Sequence, residues 1–317
     1  RSSVVTAQPC HCDPVLRLQC CGMWRRRIPR VTATVAGDVS YDLAEGPVWD
    51  GEHDRLVWVD VRAGHVLTGT LSSLATSGTR VGVTHQLSFD GTVGAAVPAD
   101  DGSILVAAAD RLVVVAPDGA RQDGPRVFPA GELRRLNDGA CDPQGRFVVG
   151  TCTPHDEPSE RELLVRIESD GSTTVLDDDL TLSNGLAWSA DGSRLFSIDT
   201  MRRRVYVRPY GPDHVGERAV HLVVDGGYPD GMAIDADDHL WIALWGGHGV
   251  RRYDPRGRLV ARVDVPAPHT SSVTFAGDDL RTMVITTATK DLTPRERDRF
   301  PASGMLFTAR VDVPGLP

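Results

Sequence analysis

The chain has 317 residues, 41% of them hydrophobic and 24% charged, with 32 glycines and 21 prolines along its length. Its 34 basic and 43 acidic residues leave a formal charge of −9, which argues against nucleic acid as a partner. No stretch approaches the roughly 18 consecutive apolar residues of a membrane span, so no membrane partner is expected either. Length alone would suggest about two domains, but turn formers spread so evenly predict many short strands.

The amino-terminal stretch stands apart. Cys10, Cys12, Cys20 and Cys21 all precede Met23, at spacings that fit no regular zinc module. Residues 1–30 are expected to be a disordered extension outside the fold, residues 1–22 reading as an upstream addition. No apolar core of about 7–15 residues follows a basic start, which argues against a secretory signal. Cys141 and Cys152 fall in predicted strands and read as reduced core residues. A cytoplasmic location is the resulting expectation.

From residue 31 onward, an apolar run led by glycine, then a turn and a second apolar run, appears six times. The first unit is Gly46–Asp50 with Leu56–Asp60. The second is Gly94–Val97 with Ile104–Ala107, and the third Gly139–Pro143 with Arg146–Thr151. The fourth is Gly185–Trp188, an Asp191-Gly192 turn, then Leu195–Asp199. Gly231–Asp235 with Leu240–Ala243 makes the fifth. In the sixth, Ser272–Phe275 with Met283–Thr286, serine replaces the glycine. The leading positions 46, 94, 139, 185, 231 and 272 are 41–48 residues apart. That period, with about four strands per unit, predicts an all-β, six-bladed β-propeller over 31–317. Third strands are expected at Leu112–Ala116, Leu163–Ile167, Val205–Arg208 and Val250–Tyr253. Residues 31–45 should supply an outer strand that closes the ring against the last unit, around Gly304–Val313.

In a propeller the innermost strands line the central channel, so equivalent residues converge there. The residue before each leading position is Glu45, Val93, Asp138, Asn184, Asp230 and Ser271. Three carboxylates in a narrow space repel one another, and burial disfavours their charge, unless a cation neutralises them. The chain's two asparagines, Asn137 and Asn184, both lie in this feature. An all-oxygen donor set predicts a central metal site for Ca²⁺, Mg²⁺ or Mn²⁺, and carboxylates also bind zinc. Arg135 would bring a guanidinium to the channel mouth. No nucleophile elbow, zincin helix or phosphate loop is present. His248 and His269 follow strands near the expected rim and read as loop histidines.

Four segments in order, Ala44–Trp49, Arg135–Gly139, Ser183–Trp188 and Pro229–Asp235, resemble the senescence marker protein/regucalcin/gluconolactonase family over about residues 31–317. The resemblance implies a six-bladed propeller that holds one divalent cation and hydrolyses sugar-acid lactones. It implies Glu45, Asn184 and Asp230 as metal ligands and Arg135 and Asn137 as substrate contacts. Asn137, rather than Asp138, then faces the ligand. A further acidic contact would fall at Glu160 or Glu162, where the loop from Pro154 to Arg161 aligns poorly. Calcium is the first choice of cation, with Zn²⁺, Mn²⁺ and Mg²⁺ as alternatives.

The expected mechanism is metal-assisted lactone hydrolysis with Asp230 as general base on water. The expected partner is a small sugar lactone, on a monomer or small homo-oligomer. Two alternatives stand beside it: a calcium-binding or interaction propeller without catalysis, and a hydrolase of an aromatic lactone or phosphotriester. A quinone-dependent dehydrogenase would need a basic, aromatic platform that is not evident.

Overall fold

The computed structural model describes residues 28–74, 78–153 and 159–316. The early cysteine run lies outside them. Two short strands come first, β1 (Arg30–Thr32) and β2 (Thr34–Val35). Blade one is β3 (Ala44–Asp50), β4 (Arg55–Asp60), β5 (His65–Leu74) and β6 (Gly78–Ser88). Blade two is β7 (Val93–Pro98), β8 (Ile104–Ala108), β9 (Arg111–Val115) and β10 (Arg121–Arg126). Blade three is β11 (Arg135–Cys141), β12 (Phe147–Cys152), β13 (Glu162–Ile167) and β14 (Thr173–Leu180). Blade four is β15 (Ser183–Trp188), β16 (Arg194–Asp199), β17 (Arg204–Pro209) and β18 (Ala219–Val223). Blade five is β19 (Tyr228–Ile234), β20 (Leu240–Trp245), β21 (Gly249–Tyr253) and β22 (Leu259–Asp264). Blade six holds β23 (Thr270–Ala276), β24 (Thr282–Thr287) and β25 (Phe307–Arg310), with the helix α1 (Pro294–Arg299) before its last strand.

Each blade is an antiparallel meander, and the six sheets make the all-β, six-bladed propeller that the repeat predicts. Alternation and turn chemistry explain the local structure. In blade four the first hairpin turns at Asp191-Gly192. The Asp191 carboxylate accepts the Ser193 N–H at 3.0 Å, and Gly192 takes φ 68°, a conformation side chains resist. All four expected third strands form, as β9, β13, β17 and β21.

The core lies between blades. Among the described residues it divides into six apolar clusters, each spanning neighbouring sheets. Val57, Val93 and Val106 join blades one and two, and Leu136 and Val149 pack with Ala95 and Val97 between two and three. Leu164, Leu186 and Trp188 join three and four, and Phe196, Ile198 and Ile242 join four and five. Trp241 and Phe275 join five and six, and Ala36, Trp58 and Val284 close six onto one. Burial of about 25 cal/mol per Å² of apolar surface at each contact makes the ring a continuous core. Cys152 is buried there, but Cys141 is exposed and is not the core residue expected.

The ring closes through the chain's beginning. β2 pairs antiparallel with β25, Thr34 opposite Thr308, as the fourth strand of blade six. The closing strand thus falls within the expected 31–45 stretch but is only two residues long. Unexpectedly, β1 adds a fifth, parallel strand to blade five, Arg30 opposite Arg262. Strand pairing therefore reaches Arg30, one residue inside the stretch assigned to the extension. No helix among the described residues is long and apolar enough to cross a membrane.

All six innermost strands break register near the leading residue. The shifts fall between Glu45 and Val48, Val93 and Ala95, Leu136 and Gly139, Asn184 and Leu186, Pro229 and Met232, and Thr270 and Ser272. A β-bulge turns a side chain off the regular alternation, so the repeat carries a device for aiming residues along the channel. In blades two to five glycine is needed there for close approach. A Cβ at Gly185 would lie 2.6 Å from the Asp230 carbonyl oxygen of the next blade.

Candidate functional site

The bulged ends of the innermost strands open into a cavity of about 640 Å³ at one mouth of the channel. Glu45, Arg135, Asn137, Asn184 and Asp230 all line it. Five predicted site residues from blades one, three, four and five thus meet in one space. In β11 regular pairing stops at Leu136 and resumes at Gly139, so Asn137 and Asp138 share the bulge. Asn137 faces the cavity. Asp138 turns onto the backbone N–H groups of Gly139 and Gly185 and is not among the lining residues.

The polar side chains form a directed chain. An Arg135 guanidinium N–H donates to Asn137 Oδ1 at 2.8 Å and to the Leu136 carbonyl at 3.1 Å. Asn137 Nδ2 donates to Asn184 Oδ1 and to the Ser183 carbonyl, both at 2.8 Å. Asn184 Nδ2 donates to Thr200 Oγ1 at 2.9 Å, and Thr200 Oγ1 donates to the Pro229 carbonyl at 2.8 Å. Asn137, Asn184 and Thr200 are each under a tenth exposed, so these bonds carry weight that water cannot replace.

The carboxylates are poorly placed as bare anions. Burial, then the negative charges of Asp230 and Asp138, hold the Glu45 carboxyl well above the ordinary carboxylate range. The Gly46 N–H, 3.2 Å from Glu45 Oε2, and the Arg135 charge oppose this only in part. Burial pushes Asp138 up to about 6, against the N–H bonds it accepts. Glu45, Asp230 and the second lone pair of Asn184 Oδ1 are the donor set that a hard divalent cation takes, and a dication would relieve the repulsion. The residues present therefore fit such an ion.

A second acidic group, Asp235, Asp237 and His239, lies where β19 turns into β20. There Asp235 Oδ2 already accepts from Trp241 Nε1 at 2.8 Å and Arg252 Nε at 2.7 Å. Its Oδ1 accepts the N–H groups of Asp237 and His239. That cluster builds a turn, and a cation there would have to displace Arg252.

Of the acidic contacts considered in blade three, Glu162 is buried on β13 and accepts from Thr151 Oγ1 at 2.7 Å. Glu160 is a largely exposed partner of Arg202. Neither lines the cavity, and residues 154–158 of that loop lie outside the described ones. His248 packs on Phe300. His269 stacks on Trp245 with ring centroids 4.1 Å apart, and burial lowers its pKa.

The wall holds further residues that the sequence did not single out: Arg62, Thr200, Tyr228, Trp245 and Lys290. Tyr228 and Trp245 pair across β19 and β20. Lys290 Nζ lies 5.2 Å from the Trp245 ring centre and 2.6 Å from Asp291. Lys290 is the chain's one lysine, a compositional signal of the kind that marked the two asparagines.

Residues 43–289 match the family model described as the SMP-30/gluconolactonase/LRE-like region. The chain belongs to this family. Among its relatives, the pentonolactonase XacC of Haloferax volcanii is 32% identical, covering 90% of this chain and 97% of its own. The 6-deoxy-6-sulfogluconolactonase of Pseudomonas putida is 31% identical over 86% of this chain and 92% of its own. Regucalcin of Danio rerio is 30% identical over 87% and 93%. Among solved structures, the calcium-binding protein regucalcin from Agrobacterium tumefaciens superposes with a TM-score of 0.81 at 24% identity, covering 91% of this chain and 96% of its own. At that identity the likeness speaks for the fold. The family membership predicted from the four motifs is thus shown, and family members related to this chain over most of its length carry lactonase names.

Proposed function

We propose that this protein hydrolyses a sugar-acid lactone with one divalent cation held by Glu45, Asn184 and Asp230, calcium being the first choice. The observation that carries this is the convergence of two carboxylates and an oriented amide oxygen, beside a guanidinium, on one cavity. A cation bound there would polarise the lactone carbonyl and offset the charge that builds on its oxygen.

The chain's own residues supply binding and proton handling. Both Nδ2 hydrogens of Asn137 are committed, to Ser183 and Asn184, and its Oδ1 already accepts from Arg135. Asn137 can therefore only accept from a substrate hydroxyl, and donation to substrate falls to Arg135. Together they fix the ring, which lowers the entropic part of the barrier. Asp230 takes the proton of the attacking water as its oxygen bonds to the carbonyl carbon. The same proton serves the ring oxygen when the C–O bond breaks, leaving the open hydroxy acid.

The test is a lactone panel with pH-indicator readout, on chelated protein refilled with single divalent cations. Aldonolactones should be cleaved only after refilling, with aromatic lactones slower. Failure of every cation to restore hydrolysis of any sugar lactone would sink the proposal. Asp230→Ala should lower turnover by roughly 10²–10⁴-fold; full activity in that variant would place the chemistry elsewhere.

A further inference from the structure

We infer that Thr200 is a positioning residue for the cation site, its hydroxyl deciding which end of the Asn184 side chain faces the cavity. This rests on the assignment of Asn184 as a cation ligand made above.

The hydrogen-bond chain has a fixed direction. A guanidinium can only donate, and the Pro229 carbonyl can only accept. Between them stand three groups able to do both: Asn137, Asn184 and Thr200. With its two ends of fixed sense, the chain runs one way. Thr200 donates to Pro229 and offers a lone pair to Asn184, which must present Nδ2 there and Oδ1 toward Asn137. A reversed Asn184 amide would set two NH₂ groups against each other and turn N–H bonds toward the cation.

Thr200 is built to hold that sense. Its N–H donates to the Leu182 carbonyl at 3.1 Å and its carbonyl accepts the Arg203 N–H at 2.9 Å. It lines the cavity at 6% exposure, and branching at Cβ restricts its rotamers. Its acceptor, Pro229, directly precedes Asp230, so one hydroxyl ties ligand-bearing segments of two neighbouring blades together. Partners behind a metal ligand typically govern affinity by about 10–100-fold.

The experiment compares Thr200→Val, which removes the hydroxyl and keeps the shape, with Thr200→Ser, which keeps the hydroxyl. Chelated proteins are titrated with Ca²⁺ or Mn²⁺ by calorimetry, and thermal melts are recorded with and without the cation. Thr200→Val should bind about 10–100-fold more weakly and gain less melting temperature on cation addition, whereas Thr200→Ser should bind like the parent. A merely structural threonine would lower the cation-free melting temperature and leave affinity alone. If Thr200→Val does not fold, Thr200→Ala removes the same hydroxyl without added bulk and is read in the same way. Parent-like affinity in the folded hydroxyl-less variant overturns the role of Thr200 while leaving the cation site standing. No cation binding by the parent overturns the cation site itself, and the positioning role with it.

Discussion

Asp138 is a carboxylate that burial makes costly to ionise. Its carboxyl is pushed up to about 6 from an ordinary 3.8, chiefly by burial. Between those values the folded protein holds a proton that the unfolded chain has released, so stability falls as pH rises through the window. Below it both forms are protonated and nothing is lost; above it the full penalty, on the order of 3 kcal/mol, applies. Asp138→Asn should therefore raise the melting temperature of chelated protein by a few degrees at pH 7.5 and leave it unchanged near pH 4. Melts at the two pH values decide it: an equal gain at both would mean that charge is not the cause. Glu45, Asn184 and Asp230 were legible in the sequence because each precedes a glycine at the same phase of a repeat. That phase also marked Asp138, and only the bulge of β11 shows that Asn137 takes the cavity and Asp138 the backbone N–H groups beneath.

At the scale of elements, the innermost strands of blades two to five combine a bulge with contact so close that a side chain would obstruct it. At Gly185 a new Cβ would stand 2.6 Å from the Asp230 carbonyl oxygen, 2.6 Å from Ile198 Cδ1 and 2.9 Å from Met232 Cβ. Two of these belong to β19, so relief requires the next blade to shift, taking Asp230 with it. Gly185→Ala should cost about 1–3 kcal/mol in stability and lower lactone turnover as well. Denaturant melts with parallel assays check this, and unimpaired activity would show that the spacing of β15 and β19 does not set the site. One short motif encodes strand, bulge and ligand together, and so the blades could be counted from sequence. Thr200, Trp245 and Lys290 follow no such motif. They sit at the ends of second strands or just beyond them, where antiparallel pairing sets them beside the starts of first strands, and no local residue pattern marks them. The parallel addition of β1 to β22 was illegible for the same reason, since three exposed residues carry no alternation to read.

The whole molecule depends on a small clasp. Two residues of β2 complete blade six, and three of β1 extend blade five. Ala36 accepts the Val81 N–H at 2.7 Å from blade one and donates its own to the Leu306 carbonyl at 2.8 Å in blade six. Deleting residues through Val35 should lower the melting temperature and broaden the transition, because blade six then loses its fourth strand and exposes an edge. A deletion ending before Ile28 keeps both strands and serves as the control; equal melts for the two would show that the clasp contributes nothing. The clasp also sets an order of events during synthesis. Thr34 leaves the ribosome 274 positions ahead of Thr308, so the two can meet only after the five intervening blades are made. Until then the growing arc has an unpaired edge at its leading end, a surface for nascent-chain chaperones and for mispairing between neighbouring polysomes.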